Sequence, residues 1–449
     1  MAQNLQPVVD KFESEMDIIT LIARKRDGEA LTTDQISWFV QAYTADAIPD
    51  YQVAALLMAI YLRGMTRQET VDLTLAMARS GDQLDLHDIV PFSVDKHSSG
   101  GVGDKTSLAV LPIVAACGLP VAKMSGRGLG SSGGTLDKME SFPGWSPDLT
   151  RAQFRHQVQE IGLVLAGQTH DLAPADGKLY ALRDVTGTVA CAPLIAASIM
   201  SKKLAGGADA IVLDVKAGSG AFMTSVAAAR ELAQTMVNIG RDANRQTVAL
   251  LADMNQPLGQ AVGNALEVKE ALDCLQGGGP ADFWAHCQEV AAYMLHLGQK
   301  AGSVEEGREV ATAARDNGRA LDKFRQLVAA QGGDPALVDQ PEKLPQARLV
   351  ETITASRSGY LAGVQTEAVG WTAVHLGAGR RVKGDKIDPA VGLLLPIKVG
   401  DYRHAGEPVA TIHANDPDKL DRAKEELLAT LTWSETPVEP LTHFYGVVT

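Results

Sequence analysis

The sequence predicts an α/β protein in three parts: a small all-helical domain, a large α/β domain with a mostly parallel (mixed) sheet, and a C-terminal α+β, β-rich domain. Three observations predict it. Residues 1–80 carry helical periodicity without strand-like alternation. From residue 88 short β-branched runs alternate with helical stretches, and beyond residue 345 short strands are separated by Gly and Asp turns. The expected boundaries are 1–80 with 173–205 for the helical domain, 88–170 with 207–345 for the α/β domain, and 346–449 for the last.

Along the chain, Asp50 is placed to cap a helix over Tyr51–Arg63. Its apolar residues Val53, Leu56, Leu57, Ile60 and Tyr61 recur at helical spacing, and Gly64 ends it. Thr66 and Glu69 form a capping-box pattern for Val71–Arg79, closed by Gly81. Strands are expected at Ile89–Val94, Val121–Met124, Leu163–Ala166, Ala210–Val215 and Val248–Met254. Helices lie between them at Ser107–Cys117, Leu149–Ile161 and Val226–Ile239. Ala173–Leu204 breaks this rhythm with a helical stretch carrying Pro174 and Pro193 as first-turn prolines, which reads as a return to the helical domain. In the last part Glu351–Val364, Val391–Ile397 and Pro408–Ile412 read as strands and Ala423–Leu431 as a helix.

Composition narrows the function. Of 449 residues 45% are hydrophobic and 21% charged, the balance of a soluble globular chain, and the net charge of −13 argues against a broad nucleic-acid or membrane surface. An anionic ligand needs a local basic pocket against that field. The acidic and basic residues among the first twenty positions exclude the apolar core of a signal peptide, and the longest apolar stretch, Leu108–Val121, is too short and too Pro/Gly-rich to span a bilayer. Four scattered cysteines read as reduced thiols in a cytoplasm, and the ten histidines form no metal-ligand pattern. The outlier is glycine, 43 residues or about 10% against roughly 7% in average proteins.

Two loops hold much of that excess, each between an expected strand and an expected helix. The first runs from Asp95 through Lys96, His97, Ser98, Gly100, Gly101 and Gly103 to Ser107. The second runs from Lys123 through Met124, Ser125 and five glycines to Thr135. Glycines admit close backbone approach, the following helix offers free N–H groups, and hydroxyls with lysine complete the donor set of a phosphate. Asp104 separates Gly103 from Lys105, so the Walker pattern fails, and the second loop reads GxGxG rather than GxGxxG. Inorganic phosphate or a phosphosugar fits better than a nucleoside triphosphate or NAD.

These stretches carry a resemblance. KHSSGGVGDKTSL, VAKMSGRGLGSSGGTLDKMESFPG, GQTHDLAPADGKLYALRDVTGTV, PLIAASIMSKKLAGGADAIVLDVKAGSGAFM and DMNQPLGQAVGNALEVKEA, in that order, resemble the thymidine/pyrimidine-nucleoside phosphorylase family over nearly the whole chain. The resemblance implies reversible cleavage of pyrimidine nucleosides by inorganic phosphate to the free base and a pentose 1-phosphate, with no organic cofactor. It implies phosphate contacts from Lys96, His97, Ser98, Ser107, Lys123, Met124, Ser125 and Thr135, and pyrimidine contacts from Arg183, Ser198 and Lys202. His97, Arg183 and Lys202 are then the catalytic set, stabilising the departing base anion. Ser198 and Lys202 are four apart, hence on one helix face.

The resemblance further implies a homodimer through the helical domain, and in some members a monovalent cation. The matching positions are Gly103, Lys105, Leu258, Ala261 and Glu270. Lys105 stands where cation-binding relatives carry threonine, so potassium and an ammonium paired with Glu270 are both open. Other departures are Ser131-Ser132 in place of His-Thr, and Gly187, Ala190 and Cys191 in place of Ala, Asp and Ser. VAKMSGRG and IMSKK look more like the bacterial pyrimidine-nucleoside enzymes, implying activity on uridine, thymidine and deoxyuridine, with a thymidine-restricted enzyme as the alternative. Remoter readings are an anthranilate-type phosphoribosyltransferase and, from the C-terminal part, a biotinyl/lipoyl-like carrier, which lacks the MKM- or DKA-type lysine such a role needs.

Overall fold

A computed structural model describes residues 16–128, 130–131, 133–167, 171–382 and 384–449. Ser132, one of the departures above, lies outside the described residues, as do Gln168, Thr169 and His170 of the GQTHD stretch. The chain forms two compact units. The smaller spans Met1–Asp85, Thr169–Ala208 and Gln234–Gln246, the larger Leu86–Gln168, Asp209–Ala233 and Thr247–Thr449.

The smaller unit contains helices α1 (Ile18–Arg26), α2 (Thr33–Thr44), α3 (Asp50–Arg63) and α4 (Arg67–Ala78). They meet in a core of Leu21, Phe39, Val53, Leu56, Leu57 and Ile60. Thr66 and Glu69 close both halves of the capping box on α4. Two local expectations fail. Asp50 is the first helical residue rather than the cap, because its carboxylate accepts from the Tyr43 hydroxyl at 3.0 Å. Helix α4 ends on Arg79, before Gly81.

The larger unit contains β1 (Val94–Ser98), α5 (Thr106–Ala116), β2 (Val121–Ser125), α6 (Thr135–Met139), α7 (Arg151–Ile161) and β3 (Leu163–Gly167). The chain then enters the smaller unit as α8 (Pro174–Thr186) and α9 (Ala192–Ala205), whose first turns hold Pro174 and Pro193. It returns through β4 (Ala210–Ala217), continues as α10 (Val226–Asp242), whose second half from Gln234 belongs to the smaller unit, and forms β5 (Gln246–Asp253). A short β6 (Ala261–Val262) leads into α11 (Asn264–Leu275), α12 (Ala281–Leu297), α13 (Val304–Asp316) and α14 (Arg319–Ala330). Beyond its first turn helix α5 is apolar on every side, and it is buried from Thr106 to Ala115, as a helix inside a packed layer must be. Leu111→Ala there would cost about 2–5 kcal/mol.

With β13 (Phe444–Val448), the main sheet runs β13-β5-β4-β1-β2-β3 and is parallel except at one edge. That edge is β13, antiparallel to β5. The last residues therefore belong to the α/β sheet, whereas the sequence reading placed them in the C-terminal domain. The other difference matters for chemistry. Strand β1 begins at Val94, not Ile89, because Pro91 cannot donate to a ladder. Lys96, His97 and Ser98 thus sit on the strand and not in the loop after it.

Between these, β7 (Leu349–Thr354), β9 (Gly392–Leu394), β11 (Pro408–Ala414) and β6 form one small sheet. A second joins β8 (Gly359–Val364), β10 (Tyr402–Arg403) and β12 (Leu431–Ser434), with α15 (Thr366–Leu376) and α16 (Pro417–Ala429) beside them. Lys398 ties this domain to the 257–261 loop, donating to the carbonyls of Pro257 (2.7 Å) and Gly259 (2.6 Å) and pairing with Asp282 (2.8 Å).

Candidate functional site

Register decides which β1 side chains work together. Lys96 pairs with Val212 and Ser98 with Asp214, so Lys96, Ser98, Asp214 and Lys216 share one face of the sheet while His97 points to the other. Lys96 and Lys216 are completely buried beside Asp214, at 3.4 and 2.8 Å. Burial alone would raise the Asp214 carboxyl, but His286, Lys216 and Lys96 hold it far below the usual carboxylate range. The Lys96 ammonium has no hydrogen-bond acceptor among the described residues. A buried cation with unused donors is a costly arrangement unless an anionic ligand completes it.

Most neighbouring groups are hydrogen-bonded, although Asp214 Oδ1 has no hydrogen-bond partner among the described residues. Ser98 donates to Asp104, which also accepts from Thr106 N (3.2 Å) at the start of α5. Although burial opposes it, Lys96, Lys216 and Lys138 keep the Asp104 carboxyl well below its ordinary value. Lys123 donates to the Lys96 carbonyl and lies 3.8 Å from Asp95, and Lys138 pairs with Glu267 at 2.7 Å. Half-buried Met124 and Ser125 close β2, Thr135 opens α6, and Ser107 is buried in the first turn of α5. The second loop folds onto itself: a Cβ on Gly134 would lie 2.1 Å from the Gly128 nitrogen, so only glycine fits. Sequence reasoning found Lys96 and Lys123 but missed Lys138 and the carboxylate partners Asp214, Asp95 and Glu267. The expected basic pocket is therefore charge-compensated, and its anion-binding character rests on unfilled donors rather than excess charge.

The five cation-site positions do gather, around a cation of the chain's own. Lys105 Nζ, fully buried, donates to the carbonyls of Leu258 (2.8 Å) and Ala261 (3.0 Å) and lies 2.6 Å from Glu270 Oε1. Gly103, at φ +72, stands so close that a Cβ would approach the Leu258 oxygen to 2.8 Å. Burial pulls the Lys105 ammonium down, yet Glu270 and Glu267 raise it above its usual value, so it stays charged. The oxygens a potassium ion would need are taken, and these residues do not fit an added cation. No other group of three or more His, Cys, Asp or Glu among the described residues could hold a metal.

The smaller unit holds the second cluster. Lys202 Nζ pairs with Asp176 at 2.5 Å and donates to Ser198 Oγ at 3.0 Å, so both predicted helix-face partners meet. Asp176 was not anticipated. It is 2% exposed, and its Oδ1 has no hydrogen-bond partner among the described residues. Arg183 is buried, and burial lowers its guanidinium from the ordinary value. It donates to the carbonyls of Thr188 (3.3 Å), Val189 (2.7 Å) and Leu194 (3.1 Å). Arg183 thus fixes the turn between α8 and α9, using three of its five N–H groups.

A parallel sheet with glycine loops and buried lysines at its strand ends, accompanied by a helical bundle, marks the class. Residues 91–321 match the a/b domain of a glycosyl transferase family and residues 19–81 its helical bundle domain. Residues 360–434 match the pyrimidine nucleoside phosphorylase C-terminal domain. The chain is 51% identical over 433 residues to a pyrimidine-nucleoside phosphorylase of Geobacillus stearothermophilus, covering 96% of this chain and all of that one. It is 49% identical over 425 residues to the enzyme of that name from Staphylococcus aureus (strain bovine RF122 / ET3-1), covering 95% and 98%. The chain belongs to the pyrimidine-nucleoside phosphorylase family. Its fold is also similar to anthranilate phosphoribosyltransferase of Thermus thermophilus. That match has a TM-score of 0.58 at 20% identity and spans 69% of this chain and 99% of the other.

Proposed function

We propose that this chain catalyses reversible phosphorolysis of uridine, thymidine and deoxyuridine, giving the free pyrimidine and ribose or deoxyribose 1-phosphate. The observation that carries the reading is the buried Lys96 ammonium with unused donors at the end of β1. Relatives at about half identity named pyrimidine-nucleoside phosphorylase support the nucleoside as co-substrate.

In this mechanism a phosphate oxygen forms a bond to the anomeric carbon while the bond from that carbon to the base nitrogen breaks. The sugar carbon gains positive character, and the phosphate is both nucleophile and counter-charge. Lys96, Ser98, Ser107, Lys123, Met124, Ser125 and Thr135 hold the phosphate. Lys202, with Ser198 and the two remaining N–H groups of Arg183, meets the pyrimidine as its charge grows, and His97 donates to the departing base. No covalent protein intermediate is needed. Phosphate is assigned to the larger unit and base to the smaller, so the cycle requires the units to close on one nucleoside, excluding competing water. Lys105 supplies the charge of a monovalent cation within its own cage, and no step runs through potassium.

A second copy of the chain is the proposed partner. Tyr51, Ala55, Met58 and Leu62 form an exposed stripe along α3, with Tyr51 and Leu62 more than 70% exposed, as a dimerising helix face requires. A cytoplasmic location accords with four cysteines that form no disulfide.

Incubating the enzyme with each nucleoside, with and without inorganic phosphate and in metal-free buffer, tests the reading. The expected result is base and pentose 1-phosphate only when phosphate is present. Negligible uridine turnover would make the enzyme thymidine-restricted. A requirement for magnesium and pyrophosphate would favour a phosphoribosyltransferase.

A further inference from the structure

Behind Lys96, Asp214 is approached by a group that the proposed mechanism does not use. His286, on α12 and completely buried, places Nε2 2.8 Å from Asp214 Oδ2. Its Nδ1 lies 3.2 Å from Nε2 of His443, the residue before β13, and its ring stacks on Phe444 with centroids 5.2 Å apart at 15°. Lys216 Nζ donates to Asp214 Oδ2 at 2.9 Å and lies 2.8 Å from Oδ1, which has no hydrogen-bond partner among the described residues, and 2.8 Å from His286 Nε2. Lys96 is held off at 3.4 Å in a geometry that makes no hydrogen bond.

The protons follow from chemistry. Burial lowers both histidines, His443 to about 4, so at neutral pH each is uncharged and carries one N–H. Asp214 is ionised, so an imidazole nitrogen 2.8 Å from its oxygen carries the hydrogen. The alternative, Nε2 accepting from Lys216, would set two lone pairs face to face across that distance. With Nε2 protonated, Nδ1 is an acceptor, and His443 Nε2–H is the donor that meets it. A relay therefore runs from the C-terminal strand to the carboxylate: His443 to His286 to Asp214.

We propose that His286 is a positioning residue for phosphate binding: it fills Asp214 Oδ2 with a neutral donor, so that Lys96 keeps its ammonium hydrogens for phosphate, while His443 fixes which nitrogen of His286 carries the proton. The inference rests on the reading that phosphate binds at Lys96. A neutral imidazole suits this task because it satisfies the carboxylate without changing the local charge. Without it, Oδ2 keeps Lys216 as its donor and draws Lys96, 3.4 Å away, inward from the ligand to fill the second place.

The test compares His286→Leu, His286→Gln and His443→Leu with the wild type, reading KM for inorganic phosphate and for uridine, kcat, and the Tm shift induced by phosphate alone. His286→Leu should raise the phosphate KM about tenfold, the worth of one hydrogen bond to a charged group, with uridine KM and kcat within about twofold. Glutamine can offer an amide N–H to Oδ2 and should recover most of that loss. His443→Leu, which leaves the His286 tautomer unfixed, should raise the phosphate KM about threefold, and it carries the test should His286→Leu not fold. Leucine and glutamine variants that behave alike, a joint fall of kcat with both KM values raised, or a phosphate KM unmoved in His443→Leu would overturn the inference. A wild type in which phosphate shifts no Tm and supports no turnover would instead overturn the phosphate reading, and the inference with it.

Discussion

The two clusters handle buried charge by the same rule and reach different states. In the strand-end cluster Lys96 is completely buried beside an Asp214 that it shares with Lys216, and its donors stay unused. In the helical cluster Lys202 keeps a quarter of its side chain exposed, holds Asp176 at 2.5 Å, and leaves unused an acceptor, Asp176 Oδ1. The first site combines unused donors on Lys96 with an unpartnered acceptor, Asp214 Oδ1, whereas the group left unused in the second is an acceptor. Under the proposed function, an anion such as phosphate would complete the first, and a ligand that both donates and accepts, such as a pyrimidine edge, would complete the second. Net charge teaches little here, since a carboxylate accompanies every lysine in both clusters; hydrogen-bonding valence separates them.

The sharpest way to break that contrast is Lys202→Ala. Removing the partner of the departing base anion should lower kcat/KM for uridine about 10³-fold, while phosphate alone still raises Tm by the wild-type amount. A loss of the phosphate-induced shift would show that the clusters are not separate subsites. Next comes Lys105→Met, which strips the cage around Leu258, Ala261 and Glu270 of its cation. Stranding the Glu270 carboxylate should cost about 3–5 kcal/mol in chemical denaturation. Exchanging potassium for choline in wild-type assays should change the rate less than about twofold, and a larger effect would mean the cage admits an ion. Arg183→Ala should cost about 2–4 kcal/mol by orphaning three backbone carbonyls, sharpening its role as a brace of the α8–α9 turn. A stability unchanged within about 0.5 kcal/mol would return Arg183 to a purely ligand-facing role.

The smallest effect concerns pH. His443 is depressed from 6.5 to about 4 chiefly by burial, with further lowering from the neighbouring His286 and Lys216. Between those values the unfolded chain binds a proton that the folded chain does not, so stability present above pH 6.5 is lost as pH falls toward 4. Thermal melts across that window should show the decline, and His443→Gln should flatten it. An identical slope in the variant would contradict the assignment.

Much of this was legible in the sequence, and the reasons differ by residue. The capping box at Thr66 and Glu69, the first-turn prolines Pro174 and Pro193, and the four-residue spacing of Ser198 and Lys202 are local signals, and local geometry followed them. Strand β1 was displaced because the apolar run before it contains Pro91, while the strand itself, VDKHS, is mostly polar and reads as a loop. Its buried Lys96 is tolerated because β4 brings Asp214 alongside, and its buried Asp95 because β2 brings Lys123. The carboxylate partners were invisible for the same reason: Asp214 lies 118 positions from Lys96, and Asp176 lies a helix away from Lys202. Strand β13 escaped because nothing in five residues says which sheet edge they will complete. Lys105 was the exception, since its place beside Glu270 was expected from the resemblance and the structure closes that pair at 2.6 Å.

The most direct test of the two-subsite account is a crossed kinetic measurement on Lys202→Ala and the double variant Ser125→Ala/Thr135→Ala. Both substrates are varied, and phosphate binding is followed separately by its Tm shift. The account predicts that Lys202→Ala loses nucleoside turnover with phosphate binding intact. The double variant should raise the phosphate KM about tenfold or more, with the uridine KM nearly unchanged. Equal losses in both variants and both parameters would contradict it.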